Sequence, residues 1–286
     1  MDYLLLIFIC CLLATGKVTT QSAFSKRHVK NFPDVVFFIG LTFTISALIF
    51  LPDLVGASPI VWLYGAAFGL SSMAFQLSYT RALSMGNVSI TVMLANLAMI
   101  FNVVLSIVAF DDPLTPARLI GILLTIAVFI INTDFKTKNK VEKSWFALAL
   151  TALVTSGIAG CTQKIFGELG PADETRAFVS SAYIIGAVAT FAIYLVLHFR
   201  GKCKTYKTAP PVFLYALGVG GFLAIFQFAY QYSITQVPGT ILFPSYAGGC
   251  IILSTLTGIV LFKDKLKARQ LISVLLGFVA VVLMNF

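Results

Sequence analysis

Charge is scarce in this chain. Only 11% of its 286 residues are charged, 59% are hydrophobic, and the mean hydropathy is +0.95. That composition excludes a soluble globular domain of this length, whose surface must be largely polar. No long polar stretch occurs, which excludes an appended soluble domain. Histidine appears twice, as His28 and His198. Both fall at ends of apolar runs with no nucleophile beside them, so nothing points to an enzyme. A glycine-rich phosphate loop is missing, which argues against ATP-driven work. The five cysteines, Cys10, Cys11, Cys161, Cys203 and Cys250, show no metal-ligand spacing and read mostly as packing residues. No cofactor and no metal is expected. Carboxylates are absent from the middle of every apolar run: all eleven acids lie at run ends or between runs.

What is present is a series of apolar runs. A spanning helix needs about 20 apolar residues. Ten runs qualify, over 3–22, 34–51, 58–80, 87–110, 118–133, 145–164, 177–199, 211–233, 238–262 and 269–286. The expected fold is therefore an all-α integral membrane protein with ten transmembrane helices. The first run lacks a basic leader and reads as a retained helix rather than a signal peptide. Most prolines sit near run ends, where they are tolerated. Pro244 lies inside the ninth run, just before Tyr246, Gly248 and Gly249, a combination able to break a helix and free backbone groups for a site. Close packing by the two glycines is the competing reading.

The net charge of +9 could suggest nucleic acid. The basic residues instead cluster in short loops, as topology signals do. Sixteen Lys and Arg follow odd-numbered runs. Three, Arg118, Lys164 and Arg176, are assigned to the even loops. This bias puts the odd loops in the cytoplasm and both termini outside, as in a multi-pass protein of the cell membrane.

Lys17 breaks the pattern of the first run. It stands in Gly16-Lys17-Val18-Thr19-Thr20-Gln21-Ser22-Ala23-Phe24, and a looser copy, one residue longer, follows at Gly157-Ile158-Ala159-Gly160-Cys161-Thr162-Gln163-Lys164-Ile165-Phe166. Further echoes hold at a shift of 151, pairing Gln76 with Gln227, Tyr79 with Tyr230 and Ser89 with Thr240. At 152, Asp112 pairs with Asp264. Polar matches carry the weight, since apolar ones are common in any membrane protein. The chain reads as a duplication: a first unit over 1–135, a basic cytoplasmic linker over 136–144 and a second unit over 145–286. Five helices per unit is an odd number, so the second copy is inverted in the bilayer, an arrangement typical of secondary transporters.

The segment Ala109-Phe110-Asp111-Asp112-Pro113-Leu114-Thr115-Pro116-Ala117-Arg118-Leu119-Ile120-Gly121 and its partner Leu261-Phe262-Lys263-Asp264-Lys265-Leu266-Lys267-Ala268-Arg269-Gln270-Leu271-Ile272 add a family resemblance. With ten helices in two copies, the chain resembles the drug/metabolite transporter superfamily, in its EamA-like branch. The loop acid, commonly Glu there, is Asp112 and Asp264 here, and the fourth run lacks the usual proline. The resemblance implies a scaffold and a transport role but no particular solute.

An ionisable group inside a spanning helix costs roughly 2.5–3.5 kcal/mol on insertion scales and usually faces a cavity. Lys17 shares a helix face with Leu13, Ala14, Thr20 and Gln21. The alternative is that it snorkels to headgroups. Gln76 with Tyr79, and Gln227 with Tyr230, each put an amide and a phenol on one face, as a solute site requires or as interhelical polar contacts would. Asn96 and Asn102 lie in the fourth run. The candidate substrate-binding set is Lys17, Gln21, Gln76, Tyr79, Asn96, Gln163, Gln227, Tyr230 and Tyr246. A lysine without a mid-run carboxylate favours an anionic, zwitterionic or neutral polar solute over a cation. The expected function is secondary transport of a small polar metabolite by alternating access. The expected partners are the solute and the lipid bilayer, with no nucleic acid and a monomer as the unit. Two alternatives stand beside it: a flippase for a phosphorylated lipid, and a non-transporting membrane receptor or assembly protein.

Overall fold

The computed structural model describes residues 3–85, 88–132, 143–201, 210–262 and 268–284. Among the described residues there are eleven α-helices and no strand. They are α1 (Tyr3–His28), α2 (Phe32–Ile49), α3 (Pro59–Met85), α4 (Val88–Leu97), α5 (Met99–Phe110), α6 (Pro116–Asn132), α7 (Lys143–Leu169), α8 (Thr175–Phe199), α9 (Pro210–Gln236), α10 (Gly239–Phe262) and α11 (Ala268–Met284). Six stretches are long and apolar enough to cross a bilayer, in α1, α2, α3, α7, α8 and α9. Leu63, Val108, Leu214 and Phe278 are among the many large apolar residues on the outside. The chain is a multi-pass membrane protein.

Two helix breaks differ from expectation. The run over 87–110 is two helices meeting at Ala98, without proline or glycine. The Ala98 amide reaches Ala95 O and the Phe101 amide reaches Ala98 O, bonds of the tighter three-residue type. Ala98 is buried at this joint. Such a tightening interrupts an α-helix from within. Pro244, by contrast, does not break α10. It lies in the second turn, where its missing N–H removes one bond next to groups that have no intrahelical partner anyway. Gly248 serves close packing: a Cβ there would lie 3.6 Å from Val281 and 3.9 Å from Gly277 O in α11.

Several helices outrun their apolar stretches. α1 continues to His28, α3 to Met85 and α7 to Leu169. Lys164, assigned above to a loop, is therefore inside α7, where it is 1% exposed.

The core is centred on α2 and α8. α2 packs against α8 and α9, and α3 against α7 and α8. α1 lies on α9 and α10, and α6 on α11. Several contacts occur twice. Phe24 of α1 stacks on Phe38 of α2 at 3.7 Å, and Phe166 of α7 stacks on Phe178 of α8 at 4.0 Å. Phe75 and Tyr79 of α3 stack at 5.2 Å, as do Phe226 and Tyr230 of α9 at 5.3 Å. A Cβ on Gly69 of α3 would meet the Ala182 carbonyl of α8, and one on Gly220 of α9 would stand 2.9 Å from Thr42 O of α2. Phe24 with Phe166, Phe75 with Phe226, Tyr79 with Tyr230 and Gly69 with Gly220 are pairs that the echo sets in register.

Candidate functional site

One stripe of α1 turns inward: Cys10, Ala14, Lys17, Gln21 and Phe24, all buried and spaced as one helix face. Contacts on either side of Lys17 fix where that face points. The Cys10 thiol is 3.6 Å from Ser233 Oγ in α9. A Cβ on Gly16 would stand 3.0 Å from the Phe222 ring of α9. Gln21 Nε2 donates to Gln76 Oε1 at 2.9 Å and to Thr80 Oγ1 at 2.8 Å, both in α3. Lys17 thus faces the space between α3 and α9.

Lys17 is 7% exposed, and its ammonium has no hydrogen-bond or ion-pair partner among the described residues. It lies eleven residues before the end of α1, about 16 Å along the axis.

The glutamines form three separate arrangements. Gln21 joins Gln76 and Thr80. Gln163 of α7 donates to Gln231 Oε1 at 3.1 Å, and Gln231 Nε2 donates back to Gln163 O at 3.0 Å. Gln227 Oε1 accepts from Tyr183 of α8 at 3.2 Å. Among the described residues, Gln227 Nε2 and Gln21 Oε1 are buried without a partner.

Aromatic rings flank these amides. Tyr230 stands 4.9 Å from Tyr246 of α10, and Phe226 stacks near Tyr246 at 5.7 Å. Tyr246 is half-buried, whereas Tyr79 and Tyr230 are buried. Asn96 sits half-buried near the end of α4, on none of these contacts. Asn102 is a packing group: its Oδ1 accepts from the Cys161 thiol at 3.6 Å, and it lies close against Gly160.

A second cluster lies at the end of α7. Lys164 Nζ is 3.1 Å from Asp112 Oδ2 and 2.6 Å from Glu168 Oε1. Asp111, at φ 51, turns the chain sharply at the end of α5. An aspartate tolerates this left-handed conformation better than most residues. The turn presents Asp112 to α10, where its Oδ2 also accepts from the Gly239 amide at 2.6 Å. That amide is at a helix N-terminus, where N–H groups lack internal partners and favour a negative charge. The Phe110 ring covers the ammonium at 5.5 Å. Nearby, Ser58 N and Oγ donate to Glu174 Oε2 at 3.0 and 2.7 Å, and Arg176 lies 3.7 Å from Asp53.

Sequence reasoning missed Lys164, Tyr183 and Gln231. The i, i+4 pair Lys164–Glu168 was a signal for the first, and Gln227–Gln231 for the last. Tyr183 carries no local signal, since its partner is in another helix.

Residues 3–133 match the model of the EamA-like transporter family. Over 98% of this chain and 94% of its own, a protein of known crystal structure superposes with a TM-score of 0.73 at 18% identity. No curated protein matches the chain. Residues 3–133 thus resemble the EamA-like transporter family, and the fold is shared with a solved structure over nearly the whole length.

Proposed function

We propose that the chain is a ten-span secondary transporter, which moves a small polar, anionic or zwitterionic organic metabolite by alternating access. Its halves are residues 1–135 and 145–286, inverted with respect to each other, and 136–144 link them. The recurring Phe24–Phe38 and Phe166–Phe178 stacks support the repeat, as do the paired Gly69 and Gly220 approaches. The observation that carries the solute reading is Lys17: a buried ammonium in the middle of α1 with no partner among the described residues. A buried charge needs a counter-charge or strong acceptors. A ligand that brings them is stabilised there.

The outer side, opposite the basic loops, fits alternating access. Lys164–Asp112, Glu174–Ser58 and Arg176–Asp53 each join a residue of one half to a residue of the other. Opening that side requires all three to separate.

Reconstituted vesicles test the reading. Wild-type protein should exchange at least one solute from a panel of organic acids, amino acids and phosphorylated metabolites. Lys17→Ala should insert as well as wild type, since loss of a buried charge relieves its transfer cost. It should lose most uptake. Normal flux through Lys17→Ala at equal protein level would place the site elsewhere.

A further inference from the structure

Gln227 has an unusual position for a buried amide. It is 4% exposed, its carbonyl end is engaged by Tyr183, and its N–H end is unpartnered among the described residues. Tyr183 is 1% exposed and its ring is wedged 5.1 Å from Phe43 and 6.2 Å from Phe68. The phenolic oxygen is therefore held in place. Its hydroxyl donates to Gln227 Oε1 at 3.2 Å, which leaves the amide N–H end pointing away.

The first half solves the matching problem differently. There Gln76, the residue in register with Gln227, has its carbonyl engaged by Gln21. The register partner of Gln21 is Gln163, which is held by Gln231 instead. Tyr183 instead engages the Gln227 carbonyl. Both halves end with the amide carbonyl occupied.

The level of Gln227 along α9 follows from the α1 contacts. Cys10 lies beside Ser233 and Gly16 beside Phe222. Gln227 falls between those two levels, about one helical turn from Lys17 along α1. Carboxylates are remote from this level: every described acid lies at a helix end or in a turn.

We propose that Gln227, turned by Tyr183, is a hydrogen-bond donor to the transported solute, and that it reads an oxyanion oxygen on it. Lys17 supplies the charge and Gln227 the direction. Tyr183 is a positioning residue: it acts through the amide and does not touch the solute. The required ligand chemistry is an organic molecule bearing a carboxylate or a phosphate monoester. This rests on the transport reading above and goes beyond it by fixing the sense of the hydrogen bond.

The test uses the full chain in vesicles and in detergent. The probes are linear carboxylates, phosphate monoesters of the same chain length, and the corresponding primary amines. Wild type should bind at least one of the two oxyanion series and none of the amines; the series bound identifies the oxyanion. The double variant Tyr183→Phe/Gln227→Leu removes both hydrogen-bonding partners and the unpartnered N–H. Without ligand it should melt at or above the wild-type temperature, because replacing both partners by apolar groups is neutral or stabilising. Its oxyanion affinity should fall about 10- to 100-fold, the loss expected for a hydrogen bond to a charged group. Tyr183→Phe alone frees the amide to rotate. It should weaken oxyanion binding by less than the double variant, with little change in maximal flux.

Three results would overturn the assignment. One is a double variant that binds and moves oxyanions as wild type does. Another is a wild type that prefers amines or binds neither oxyanion series. The third is a double variant that melts well below wild type with unchanged affinity for its solute, which would make the pair a packing contact. In each of these, transport of some solute by wild type leaves the transport reading intact. Absence of flux for every compound, in both this set and the broader panel, removes that reading itself.

Discussion

The Lys164 cluster permits a quantitative prediction. Lys164→Met keeps the length and apolar body of the side chain but deletes the ammonium. Two carboxylates are then left facing each other without their cation. Removing one partner of a buried pair costs about 3–5 kcal/mol. Two features pull the value to the lower end. The Asp112 carboxylate is 13% exposed and keeps the Gly239 amide, and Glu168 is 36% exposed and can rehydrate. We expect about 3 kcal/mol, which at about 2–4 °C per kcal/mol lowers the melting temperature by about 6–12 °C. Glu168→Gln should cost below about 1 kcal/mol, as exposed pairs do. Asp112→Asn can keep an oxygen on both the Gly239 amide and the ammonium but loses the negative charge. Combined with Lys164→Met it should recover about 2 kcal/mol of the summed losses. Thermal melts of the four proteins in one detergent give the cycle. A coupling below about 0.5 kcal/mol, or a Lys164→Met protein that melts with wild type, would refute the idea that this ion cluster binds the two halves together.

Other expectations are direct. Gly69→Ala should destabilise by about 1–3 kcal/mol, because its Cβ meets the Ala182 backbone, which cannot rotate away. Gly221→Ala, in α9 with nothing within 4 Å of the new atom, should be neutral or stabilise by about 0.5–1 kcal/mol; thermal melts of both variants check the contrast. A single cysteine at position 2 should be labelled by an impermeant reagent on intact cells and one at 138 should not, in a background without the native cysteines. Quaternary ammonium compounds should neither be transported nor raise the melting temperature, since the interior holds an unpaired lysine and no described carboxylate; uptake in vesicles decides it.

Long apolar runs made most helices legible. Their ends were less so, because polar residues there still hold helical bonds: the Ser25 hydroxyl donates to Gln21 O, three residues past the apolar run. The joint at Ala98 carries no breaker residue and results from local tightening, which sequence does not show. Pro244 misled for the opposite reason, being a breaker placed where one lost bond matters little. At the site, Gln76 and Gln227 were visible through the shift of 151, and Gln21 and Gln163 through the echo. The partners Tyr183 and Gln231 were not. Tyr183 lies 44 residues from Gln227, and Asp112 lies 52 from Lys164. Asp112 was noticed as a loop acid, and only the fold brings it to a lysine.

The differences between the proposed halves are more informative than their likeness. Gln21 with Gln163, and Phe24 with Phe166, set the register of α1 against α7. In that register Lys17 stands opposite Ala159, and Lys164 opposite Ser22. Each half thus has one buried lysine where the other has a small residue. Their surroundings diverge. Lys164 is met by two carboxylates, a ring face and, through Asp112, a helix N-terminus. Among the described residues, Lys17 is met by none of these. A symmetric duplicate would offer two equal sites, or two equal ion locks. Here one lysine is neutralised at the end of a helix and serves cohesion. The other is left unneutralised at mid-helix, and about one turn away along the bundle an amide's donor end is also unpartnered among the described residues. Among the described residues, a buried lysine without a counter-charge and a buried amide N–H without an acceptor raise the energy of the empty protein. That cost persists in the empty site and is relieved when a ligand supplies the acceptors, so it favours binding over mere cohesion at Lys17.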